Sequence, residues 1–194
     1  LKWNSGADGF ETGDVAGALV LLDTFTSDGS DSTATFASNI DSTYKEYIFK
    51  FFNIHPETDN KDFGVQFRDG GSSYDATITT TYFHAVHQED DGGTSLAYIS
   101  GHDEVQSTSP QILGEGISSD ADHGSSGYLH LFDPSSTTFV KHFIAQFQDT
   151  RHSDISANCF MAGYCNVTAA IDGVQFAMNS GEIQGGVIKM YGVS

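Results

Sequence analysis

Short stretches of alternating apolar and polar residues recur along this chain, broken every 8 to 12 residues by clusters of Asp, Gly, Ser and Asn. No segment sustains a helical period. Tyr47, Phe49 and Phe51 share one face of a strand over Tyr44 to Ile54, with Ile48, Phe52 and Ile54 on the other. Apolar residues on both faces predict a strand covered on both sides. His55-Pro56 closes it, because proline cannot donate to a ladder. Phe63, Val65 and Phe67 alternate with Gly64, Gln66 and Arg68, as in a half-exposed strand. Ile78, Tyr82 and Val86 mark another. Phe139, Phe143 and Phe147 are expected to point one way from a strand over Thr138 to Gln148. Further strands are predicted at Ala18 to Phe25, Thr33 to Ala37, Leu96 to Tyr98, Tyr128 to Phe132, Phe160 to Tyr164, Gly173 to Met178 and Val187 to Tyr191. Gly101 to Pro110 and Ser118 to Ser126 read as long polar loops.

About ten short strands at this spacing predict an all-β fold, a two-layer antiparallel β-sandwich of jelly-roll type. The composition agrees. The chain holds 194 residues, with 26 acidic side chains against 8 Lys and Arg. Of the acidic residues 19 are Asp and 7 are Glu. Asp competes with the backbone for hydrogen bonds and favours turns, whereas Glu favours helix interiors. Residues 1–17, rich in Gly and Asp, read as a linker-like lead-in. Residues 18–194 form the sandwich domain.

A net charge of −18 argues against binding to a phosphate backbone or to anionic lipid. No apolar run is long enough to suggest membrane insertion. The expected partners are neutral glycans, cations, basic surfaces or other protein.

Few residues carry recognisable chemistry. Gly124-Ser125-Ser126-Gly127 is one residue short of a nucleophile elbow and lacks its strand-to-helix setting. Cys159 and Cys165 are expected to be free thiols, since on one strand they stand too far apart to bridge. His84 and His87, three apart on a strand, face opposite ways and cannot share an ion. His102-Asp103-Glu104 and Asp120-Ala121-Asp122-His123 are the richest ligand clusters. Carboxylate-rich loops suit calcium better than zinc, but no calcium-loop motif is present and no cofactor is expected. Asn166-Val167-Thr168 is a glycosylation sequon only in a suitable secretory pathway. Tyr74, Tyr98 and Tyr128 near loop edges, with Trp3 in the lead-in, are the candidates for surface or ligand contact.

Asp41-Ser42-Thr43-Tyr44-Lys45-Glu46-Tyr47, Asn53-Ile54-His55-Pro56, the run Asp133 to His142 and the ending Gly186 to Val193 together suggest a family. The chain from Ala18 to Val193 resembles virion structural proteins of marine tailed phages, including cyanophages. The resemblance implies a non-enzymatic appendage on the virion surface, either a tail-fibre or fibre-tip domain or a capsid decoration. It assigns no functional residue. Such a role implies a homo-oligomer, here a homotrimer, in contact with other virion proteins and with a host-surface glycan or protein. Exposed sheet edges and apolar faces fit such assembly. A secreted carbohydrate-binding, lectin-like module is the alternative, and a hydrolase a third.

Overall fold

The computed structural model describes residues 19–194, together with Gly6 and the strand pieces Lys2–Trp3 (β1) and Phe10–Glu11 (β2). β1 and β2 form a two-residue antiparallel ladder, Lys2 opposite Glu11 and Trp3 opposite Phe10. The rest of the predicted lead-in lies outside the described residues.

The remaining strands are β3 (Val20–Thr26), β4 (Ala34–Phe36), β5 (Glu46–Pro56), β6 (Lys61–Arg68), β7 (Ile78–Gln88), β8 (Thr94–Tyr98), β9 (Val105–Ser107), β10 (Gln111–Ile117), β11 (Ser125–Phe132), β12 (Lys141–Arg151), β13 (Ile155–Cys165), β14 (Gly173–Met178) and β15 (Ile183–Val193). One 3-10 turn, Ser100–His102, follows β8. Among the described residues there is no α-helix, and no helix is long and apolar enough to cross a membrane.

The protein is all-β and antiparallel. Hydrogen bonds do not divide it into two separate layers. Thirteen strands form one sheet, in the order β3-β15-β5-β11-β12-β10-β6-β14-β4. From β12 a branch runs through β13 and β7 to β8 and β9. The sheet nearly closes into a barrel. β12 makes the turn: it pairs with β11 through Gln148 and then reaches β10 at Arg151, opposite Ile117. The Ser118 amide donates to the Thr150 carbonyl at 3.1 Å, and the His152 amide to the Gly116 carbonyl at 3.0 Å. On the opposite side, β3 and β4 end the order without pairing to each other.

The interior is aromatic. The Phe51 ring centroid lies 5.9 Å from Phe63, 5.5 Å from Phe147 and 5.0 Å from Phe176, edge to face in each case. Phe36 and Phe49 extend the cluster. Truncating a fully buried Phe costs about 3 to 5 kcal/mol, so these rings are the main fastening between β5, β6, β12 and β14.

The β5 alternation is as the sequence predicts only as far as Phe52. Tyr47, Phe49 and Phe51 point inward. Ile48 and Phe52 point outward; Ile48 is still covered but Phe52 is exposed, so β5 is not covered on both sides as expected. Ile54 is turned inside, because Asn53 adopts φ 50° and the pairing with β11 and β15 slips there. Two further expectations are corrected. Phe139 precedes β12 and stands exposed, so only Phe143 and Phe147 point inward. Gly101 to Pro110 is not all loop, since β9 (Val105–Ser107) lies within it, and β10, whose apolar signal is thinned by Gly114 and Gly116, follows it. There is no room for a side chain at Gly114, where a Cβ would meet the Phe147 ring at 2.8 Å.

Candidate functional site

At the seam where β12 leaves β11 for β10, the core changes from aromatic to charged. Strand parity determines this. Lys141, Phe143, Ala145, Phe147, Asp149 and Arg151 all face inward on β12. Arg151 Nη1 lies 2.8 Å from Glu115 Oε2, and its Nε 3.6 Å from Asp149 Oδ1. Its Nη2 donates to His84 Nδ1 at 3.1 Å and approaches Cys159 Sγ at 3.6 Å. His102 Nε2 lies 3.2 Å from Glu115 Oε1. The Glu115 amide donates to Asp149 Oδ2 at 2.9 Å. The cluster therefore joins β7, β10, β12, β13 and the 3-10 turn.

Its electrostatics follow from those contacts. The adjacent His102 imidazole, against the opposing effect of burial, holds the Glu115 carboxyl down at about 2, with Arg151 adding to the effect. Burial pushes Asp149 up to about 6. Glu115 raises His102, and burial with the Arg151 charge lowers His84. Burial pushes Cys159 up to about 12 and raises Cys165 and Tyr82 further. The Tyr82 hydroxyl is buried with no hydrogen-bond partner. A thiol so protonated is a poor nucleophile. What the arrangement does chemically is neutralise buried charge and tie strands together.

Lys141 is a second buried charge that the sequence reading missed. It is fully covered, and burial lowers its pKa. Its Nζ donates to the Val167 carbonyl at 2.7 Å, to Ser136 at 3.3 Å and to the Ala169 carbonyl. It pins the loops on both sides of β12 and β13. Parity with Phe143 was the available signal for it.

The ligand clusters are separated by the fold. Asp103 is taken by backbone and tyrosine: it accepts from the Tyr82 amide at 2.9 Å and from the Tyr98 hydroxyl. Asp120 and His123 are joined by Asp154 from the β12–β13 turn, with ligand atoms all within 4.8 Å of one another. Asp122 instead lines an open polar depression with Asn53, His55, His123 and Gln184. The loop is held by His55, whose Nε2 lies 3.1 Å from the Asp120 carbonyl. His84 faces inward and His87 outward, as strand parity requires. Both cysteines are free and buried on β13.

The candidate tyrosines do not converge. Tyr74 lies in the loop before β7, with the Arg68 guanidinium 5.6 Å from its ring. Tyr98 is on β8 and Tyr128 on β11, exposed, with β7, β13 and β12 between their strands. The Trp3 side chain lies outside the described residues. No family model matches this chain, and neither a curated protein nor a solved structure matches it.

Proposed function

We propose that this chain is a non-enzymatic structural protein of a virion surface, a tail-fibre or fibre-tip domain or a capsid decoration, that works as a homo-oligomer, a trimer. One contrast carries the reading. The charged cluster around Arg151, the buried Lys141 and both thiols are shut inside as structural ties, while large apolar side chains are turned out. Leu96, Val105, Phe139 and Tyr98 are 77%, 77%, 71% and 60% exposed. Isolated exposed apolar residues are ordinary, but neighbouring ones mark contact surfaces.

The strand order supports the finer reading of the scaffold as a jelly roll. Setting aside the β7–β9 and β12–β13 insertions, eight strands run β3-β15-β5-β11 in one layer and β4-β14-β6-β10 in the other. Numbered by sequence, that is first-eighth-third-sixth over second-seventh-fourth-fifth, the double Greek key of a jelly roll. The insertions widen the first layer on the β11 side. Lectin domains share this strand order, but the lectin-like alternative lacks a binding platform, since Tyr74, Tyr98 and Tyr128 do not come together.

Light scattering on the purified chain tests the proposal. A mass near three chains at micromolar concentration is expected, with no turnover on polysaccharide or ester panels. A single-chain mass, or turnover that survives repurification, overturns it.

A further inference from the structure

We infer that the outward face of β11, β12, β13, β7 and β8 is where a second copy of this chain packs. This rests on the assembly reading above and says which surface performs it. Register defines the face. Outward positions on β12 are His142, Ile144, Gln146, Gln148 and Thr150. Opposite them on β13 stand Tyr164, Ala162, Phe160, Asn158 and Ser156. β7 continues with Thr79, Thr81, Phe83, Ala85 and His87, and β8 with Tyr98, Leu96 and Thr94. On the other side β11 adds Ser126, Tyr128, His130 and Phe132.

Not one of these outward positions is Asp, Glu, Lys or Arg, in a chain with 26 acidic residues. The carboxylates stand at the rim. Glu46 contacts His130, Asp91 contacts His87, and Asp103 accepts from Tyr98. An uncharged centre inside a polar rim is the anatomy of a protein interface.

The occupant follows from charge. A basic partner is best met by carboxylates, and the chain has many to offer. A face cleared of them suits a surface of the same sign, where a buried carboxylate would be desolvated and repelled. A second copy, itself at −18, is such a surface.

Size agrees. Five strands at 4.8 Å spacing and about 30 Å of strand length give a face of about 700 Å², close to the roughly 800 Å² that each partner contributes to a standard interface. Relief agrees too. Phe83 and Phe160 stack at 4.9 Å near the centre. Leu96 stands proud at the β8 margin. Elsewhere on the face a shallow apolar depression is lined by Thr81, His142, Ile144, Ala162, Gly163 and Tyr164. Projection and depression at different places on one face give two surfaces that can fit each other between copies.

The test measures mass and dissociation constant by light scattering and analytical ultracentrifugation. The native chain is compared with Ile144→Asp, Phe83→Asp and a control, Gln175→Glu, on β14 outside the face. The native chain is expected to associate, more tightly as salt rises. Each face variant is expected to weaken association at least tenfold, and the control to leave it unchanged. A single-chain mass for the native protein overturns the assembly reading and this inference together. An associated native chain, unmoved by both face variants, overturns the inference alone. Should a face variant lose its β-type circular dichroism, hydroxyl-radical footprinting of the native protein decides. Phe83, Leu96, Tyr98 and Ile144 are expected to gain protection on going from dilute to associated protein, and equal labelling at both concentrations overturns the inference.

Discussion

Arg151 and Glu115 face each other at 2.8 Å across the seam where β12 turns from β11 to β10. The same guanidinium lies beside the fully buried Asp149. Arg151→Ala would leave Asp149 in the core without its cation and Glu115 with His102 alone. Breaking a buried pair in this way costs about 3 to 5 kcal/mol. Urea unfolding is expected to show the loss as a lower midpoint. A variant within 0.5 kcal/mol of the native chain would mean that the cluster contributes little to stability.

The same cluster sets a pH profile. Asp149 is raised from 3.8 to about 6, so its stabilising share is complete below the unfolded value and is lost as pH rises through 6. His102 is raised from 6.5, so its share is also present on the acid side and is lost as pH rises past its folded value. Glu115 is lowered from 4.5 to about 2, so its share is present above 4.5 and is lost as pH falls toward 2. His84 is lowered from 6.5, so its share is present above 6.5 and is lost as pH falls, against that of His102. The expected profile rises, through Asp149, as pH falls from about 6 to about 4 and drops below that as Glu115 is protonated. Asp149→Asn is expected to flatten the limb between 4 and 6. Urea midpoints across this range check both points, and an Asp149→Asn variant that keeps the native slope between pH 4 and 6 would contradict the assignment.

Lys141 tests the other buried charge. Lys141→Met keeps the length but leaves the Ser136, Val167 and Ala169 carbonyls facing a thioether. Unpaired buried acceptors cost about 1 to 3 kcal/mol each; partial rehydration by water makes a total near 3 kcal/mol the expected loss. Amide exchange over 166–171 is expected to accelerate more than exchange in β6. A uniform change across the chain would argue against a local pin.

Neither thiol should react in the folded state. Cys159 is pushed up to about 12 and Cys165 is raised further, both by burial. A disulfide reagent at pH 8 is expected to titrate almost no thiol over minutes in native protein, and two per chain in denaturant. Fast labelling without denaturant would show that β13 opens readily.

Much of this architecture is written in residue alternation. Phe63, Val65 and Phe67 on β6, and Ile78 and Tyr82 on β7, are buried as period-two patterning predicts. Where the pattern fails, a local backbone event is responsible. Asn53 at positive φ turns Ile54 inward, and glycines thin the apolar signal of β10. The branched sheet is less legible, because pairing partners depend on contacts far apart in sequence and alternation carries no record of them. The buried ions were half-visible. Parity places Lys141, Asp149 and Arg151 inside, but charge normally argues against burial, and only the partners from other strands, Glu115 and His102 above all, reconcile the two.

The position of β15 has a consequence in time. It lies between β3 and β5, with Met190 opposite both Asp23 and Phe49. Two strands made early therefore wait, with open edges, for a third made much later. Loop-closure entropy must be met before those pairings stabilise anything. Renaturation should accordingly be slow and concentration-sensitive, and the half-made layer is the stage at which a crowded cell would have to shield the chain from its neighbours.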